Sequence, residues 1–216
     1  MSHDTYPFDN QKSWERHERF GVPFFRAHFQ EFASIKYTRG KGQSLTSSDR
    51  LVIALQKSGV DVASVCPKTG NTILWDEKFD NHIPKNFCFE EFTNTMVAPW
   101  IPGWMLTSKV HRIFYCFIRN EMLAEAYTLN NHRLQEWYWP VHHDYHFDRV
   151  KDTPNRTGNR LVPVADVLNN VPAKRYIITG YGEVKRISFD DSVSQYLQDG
   201  HIVVDPPTHL DQEAQA

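Results

Sequence analysis

Several common signposts are missing from this sequence. It has only three cysteines, Cys66, Cys88 and Cys116, and no two are close together. An odd, scattered set argues against a disulfide framework, and without a Cys-x-x-Cys pair there is no zinc knuckle. The expectation is reduced thiols in the cytoplasm. No apolar run reaches the roughly 18 residues that suggest a transmembrane helix. The first twenty residues are polar and charged, which does not read as a signal peptide. An excess of one charge is missing too, since 24 Lys and Arg face 26 Asp and Glu. Such a balance gives nucleic-acid binding no bulk electrostatic support and argues against a membrane surface. One segment departs from it: residues 141–186 hold eight Lys/Arg against five Asp/Glu.

Standard catalytic loops are absent as well. Residues 37–49 are basic and rich in glycine and serine, but Gly40-Lys41-Gly42-Gln43 lacks the spacing of a phosphate-binding loop. A connector is expected there. No serine or cysteine sits in a nucleophile elbow.

Aromatic residues are what the chain has in quantity, at 13%. The aromatics of Phe24-Phe25-x-x-His28-Phe29-x-x-Phe32 fall at helical spacing and predict the core face of a helix opened by Pro23. A shorter helix is expected over 14–20, broken from it at Gly21-Val22-Pro23. A further helix runs over 50–57. Residues 60–66 and 72–75 predict a hairpin around Pro67-Lys68-Thr69-Gly70-Asn71. Residues 76–106 read as irregular, with the Trp/Pro segment at 98–104 packed or facing a partner. The strongest periodic signal predicts a long helix over 108–127, followed by another turn or two over 132–138. Pro163 predicts a short helix, residues 176–179 and 183–189 two strands, 190–200 a helix and 201–204 a last strand. The expected fold is α+β, with N-terminal and central helices and a small antiparallel sheet formed mainly by hairpins. Residues 1–12 are a flexible arm, 13–205 a single domain and 206–216 a disordered acidic tail.

The densest chemistry lies at Val141-His142-His143-Asp144-Tyr145-His146-Phe147-Asp148. On a strand, His142, Asp144, His146 and Asp148 share one face, and His143 lies on the other with Tyr145 and Phe147. Imidazole and carboxylate together suit one divalent metal ion. The plainer alternative is a polar strand edge. The segment also resembles, in part, the HNH nuclease pattern. That resemblance implies His143 or His142 as general base, Asn159 as the residue orienting it, and Asn169 or Asn170 as a late metal ligand. Val110-His111-Arg112 is similar to a short upstream segment of some homing members. The chain departs from the pattern where Val141 and Arg160 stand.

Three functions follow. The first is a cytoplasmic interaction or regulatory protein that binds a protein partner through an aromatic-rich surface, with Trp100 and Trp104 as anchors. The alternative is a metal-dependent phosphodiesterase or nuclease using His142–Asp148. The third is a non-haem iron oxygenase, with His146, Asp148 and His201 as ligand types.

Overall fold

The computed structural model describes residues 11–35, 47–81, 85–150 and 155–190. Most of the predicted arm, the basic loop from 37 to 46, all but the first residue of the 190–200 helix, the 201–204 strand and the acidic tail lie outside the described residues.

The chain opens with helix α1 (Gln11–Arg16), a π-helical turn (His17–Gly21) and α2 (Val22–His28). The expected break at Gly21 is absent: Gly21 has helical angles, and Pro23 lies in the first turn of α2. The π turn already interrupts the hydrogen-bond ladder, so the missing proline N–H costs little there. Then follow β1 (Phe32–Ser34), α3 (Ser47–Lys57), β2 (Val62–Val65), β3 (Thr72–Asp80), β4 (Asn86–Asn94), β5 (Ile101–Pro102) and α4 (Trp104–Thr107). The second half is β6 (Arg112–Asn120), β7 (Leu123–Asn130), α5 (Asn131–Val141), a 3-10 turn (His142–Asp144), β8 (His146–Arg149), β9 (Gly158–Pro163), α6 (Val164–Asn170), β10 (Ala173–Thr179) and β11 (Val184–Ile187).

These strands form two sheets. The larger has seven strands in the order β1-β2-β3-β6-β7-β10-β11, and the smaller has four in the order β5-β4-β9-β8. In the larger sheet only β3 and β6 run parallel. The expected helix-led α+β fold with a small antiparallel sheet is therefore wrong. The protein is mostly β.

The decisive misreading is the helix expected over 108–127, which is the hairpin β6–β7. Ile113, Phe114, Tyr115, Cys116 and Phe117 are buried without a gap. Ile113, Tyr115 and Phe117 face the small sheet, where they meet Phe87 and Phe89. Phe114 and Cys116 face the other way, onto Phe20, Phe24 and Phe25 of the N-terminal helical segment. A strand covered on both faces has no polar alternation, so its apolar run also fits helical spacing. The aromatic stripe expected on the N-terminal helix does face this second core. Residues expected to be irregular extend β3 to Asp80 and form β4. Among the described residues no helix is long and apolar enough to cross a membrane.

One detail of the register positions chemistry. β3 pairs with β2 only from Thr72 to Trp75, and with β6 from Trp75 to Asp80. Beyond Trp75, no described strand covers the other edge of β3.

Candidate active site

A cluster of charged groups lies along that open edge. Asp61 directly precedes β2 and is fixed by its backbone: its N–H donates to Trp75 O and its carbonyl accepts from Ile35 N. Its Oδ2 accepts from the Glu77 N–H at 2.8 Å, so a side chain continues the pairing where β2 stops. Along β3, alternation places Asp76 and Lys78 on one face and Glu77 on the other.

Asp76 is 1% exposed. Its Oδ1 lies 2.5 Å from Lys78 Nζ, whereas its Oδ2 is buried with no hydrogen-bond donor. The Asp61 carboxylate faces it, but two carboxylates can share a hydrogen bond only when one is protonated. Room for a further group exists because Gly59 ends α3 at φ +79°; a Cβ there would sit 3.4 Å from Asp76 Oδ2 and 3.2 Å from Ser108 Oγ. That hydroxyl is also buried without a partner. Lys78 Nζ lies 5.2 Å from the Trp104 ring centroid, in cation–π range. Gly59, Asp61, Asp76, Lys78 and Trp104 line a cleft of about 570 Å³, bordered also by Arg16, Glu90 and Thr93.

The electrostatics follow from this packing. Burial, reinforced by the Asp61 charge, pushes the Asp76 carboxyl up to about 8 despite the ammonium beside it. Burial works to lower the Lys78 pKa, but the Asp76 and Asp61 charges overcome it and hold the pKa above its ordinary value. The site therefore has a permanently charged lysine and a buried acid that ionises only at a cost. Perturbed groups in a cleft are where chemistry is sought first.

A second constellation lies nearby. Glu77 Oε2 accepts from His17 Nδ1 at 2.6 Å, and His17 Nε2 lies 2.6 Å from Ser34 Oγ. Burial works to lower the His17 pKa, but the hydrogen bond to Glu77 and its charge raise it. The order of groups is that of a nucleophile, base and acid. Yet neither His17 nor Ser34 lines the cleft, and His17 is buried. The chain of bonds fastens the π turn to β1 and β3. Gly21 belongs to the same fit, because a Cβ there would collide with Glu77 Oε1.

The residues singled out in the sequence are dispersed. The strand expected over 142–148 begins only at His146. His142, His143 and Asp144 form the 3-10 turn, so the four-residue face does not form. His142 Nδ1 lies 2.7 Å from Trp139 O and is half-buried, while His143 and Asp144 point into solvent 3.7 Å apart. His146 and Asp148 do share a face of β8, opposite Leu161 and Asn159. Asn159 is buried between Asp148 and Glu90 in register, so its strand partners are carboxylates and not histidines. Asn169 is exposed, and Asn170 Nδ2 bonds Asp166 O. His111 accepts from Leu74 N. His201 lies outside the described residues. Among the described residues no group of three or more His, Cys, Asp or Glu side chains is arranged to hold a metal ion.

The two tryptophans also part company. Trp100 is 40% exposed and stacks on Phe147 with ring planes 4° apart, and the Arg149 guanidinium lies 5.4 Å from its centroid. Trp104 is half-buried, edge-on to Phe89 and beneath Lys78. Only Trp100 belongs to an exposed surface; Trp104 belongs to the cleft. Sequence reasoning missed Asp61, Asp76 and Lys78. A signal existed: an acid opening the first strand of a hairpin, and Asp-x-Lys sharing a face of the second. The chain was compared with family models, curated proteins and solved structures, and none matches it.

Proposed function

We propose that the protein is a divalent-cation-dependent phosphodiester hydrolase whose reacting centre is Asp61, Asp76 and Lys78. The observation that carries this is Asp76: a fully buried carboxylate, one oxygen without a donor, beside a second carboxylate and at the wall of an open cleft. Once Asp76 ionises, this buried acid and the half-buried Asp61 beside it share one lysine and are short of positive charge. Mg²⁺ or Mn²⁺ would supply it, held by Asp61 and Asp76. Two carboxylates are enough for a cation that keeps several waters. When bound, the cation polarises the phosphate and acidifies a coordinated water. Lys78 is held protonated by its neighbours, so it acts as a fixed positive charge for the transition state and not as a base. Trp104 holds its ammonium in place. The cleft opens along a strand edge, and a phosphodiester is the substrate class proposed for it.

Cleavage of single- and double-stranded DNA and RNA is the test, with Mg²⁺, Mn²⁺ or EDTA. Metal-dependent cleavage that disappears in Asp76→Asn and Lys78→Met supports the proposal. Absence of cleavage with both metals, or full activity in both variants, overturns it.

A second proposal rests on a different surface. Met96, Val97, Trp100 and Ile101 are exposed along one segment, which suits a protein partner. Trp100→Ala should abolish capture of that partner while leaving the thermal midpoint unchanged. Undiminished capture would remove this surface from consideration. We also place the protein in the cytoplasm, on the strength of three unpaired thiols.

A further inference from the structure

A second cleft, of about 460 Å³, opens at the C-terminal end of α2, over the first residues of β3, β6 and β10. Its wall is aromatic, with Phe24 and Trp75 buried and Phe29 half-buried. Its rim is cationic. Lys68 comes from the turn of the β2–β3 hairpin, Arg112 stands in register with Trp75, and Lys174 begins β10 opposite Thr128. No carboxylate lines this cleft, whereas Asp61, Asp76, Glu77 and Glu90 all line the one at the strand edge. In a chain with more acids than bases, that segregation sets the slot apart. Among the described residues none of the three cations has a carboxylate partner.

We propose that this slot binds a nucleoside phosphate, with its base against the aromatic wall and its phosphate among Lys68, Arg112 and Lys174. The volume is that of a small-molecule site. Three cations lining one cleft call for more negative charge than one carboxylate carries, and phosphate also offers an acceptor to each. The rings of the wall are tilted to one another, Phe24–Phe29 by 66°, Phe24–Trp75 by 75° and Phe29–Trp75 by 70°, and the half-buried Phe29 offers the face against which a planar base packs. A free nucleotide and the phosphorylated end of a nucleic-acid strand present the same chemistry. The proposal does not depend on the phosphodiesterase assignment, because its site and its readout are separate.

The experiment titrates AMP into the full-length protein, followed by calorimetry, with intrinsic tryptophan emission compared between the wild type and Trp75→Phe. Saturable binding is expected, with adenosine and inorganic phosphate each about tenfold weaker or worse. The Lys68→Ala/Lys174→Ala variant should lose affinity by about tenfold or more, since charge-assisted hydrogen bonds are of that strength. Both residues are exposed, so the variant should fold. Asp76→Asn should leave AMP binding unchanged, which separates this site from the strand-edge centre. Displacement of AMP by a 5′-phosphorylated oligonucleotide would assign the slot to strand ends, and failure to displace would assign it to free nucleotides. No saturable AMP binding, or equal binding by the double variant, overturns the proposal.

Discussion

Replacing Asp76 with Asn should make the protein more stable at alkaline pH in the absence of metal, the reverse of what removing a charged residue from an ion pair normally does. Asp76 has a carboxyl pKa of 3.8 when unperturbed and about 8 in the fold. The folded state thus holds a proton that the unfolded chain releases. Stability is fully present below about pH 4 and falls as pH rises toward 8, at ~1.4 kcal/mol per unit in that window. About four units set an upper bound of ~6 kcal/mol, and several kcal/mol is large against the ~5–15 kcal/mol of a typical domain. Asparagine presents the same shape without the charge, so its curve should be flat where the wild type declines. If the proposed cation binds at Asp76 it would displace the proton, and Mg²⁺ or Mn²⁺ should then restore the wild type at pH 8 but not the variant. Urea denaturation at pH 5, 6.5 and 8, with EDTA or with metal, measures all of this. A wild-type curve that stays flat in EDTA, or an Asn variant that is weaker at pH 8 without metal, would refute the reasoning about Asp76.

Other expectations are shorter to state. Lys78→Arg should retain measurable cleavage while Lys78→Met loses about a hundredfold or more in kcat, with little change in KM, because only transition-state charge is affected. His17→Ala should destabilise by roughly 2–4 kcal/mol near neutral pH, since it leaves Glu77 buried and unpaired. The His17 pKa is raised, so its contribution is complete below about 6.5 and is lost as pH climbs through the folded value. The gap between wild type and His17→Ala should therefore narrow above neutrality, read from paired melts. Glu91 accepts from Tyr138 and from Arg160 in the interior, and Glu91→Gln should cost roughly 3 kcal/mol by chemical denaturation without altering cleavage.

Some of this molecule could be read without coordinates. The β2–β3 hairpin was announced by alternating residues on either side of Pro67-Lys68-Thr69-Gly70-Asn71, and the α6 start by Pro163. These signals are local: turn chemistry and proline geometry act within a few residues. The β6–β7 hairpin was not readable, because Ile113 to Phe117 is apolar at every position and no periodicity separates a doubly covered strand from a buried helix. The His142–Asp148 segment attracted attention through composition, which carries no direction. The 3-10 turn aims His142 at Trp139 and sends His143 and Asp144 into solvent.

By itself the sequence determined the thiol count, the charge balance, the short-range turns and the aromatic load that fills two cores. Only the tertiary structure decided which ionisable groups meet in a cleft. Asp61 meets Asp76 because β2 stops at Val62 while β3 continues. Gly59 leaves space at Asp76 Oδ2, and Trp104 arrives over Lys78 from the small sheet's side. The cost of burying a carboxylate depends on everything packed around it. That environment is assembled from segments far apart in the chain, so no local pattern could have expressed it.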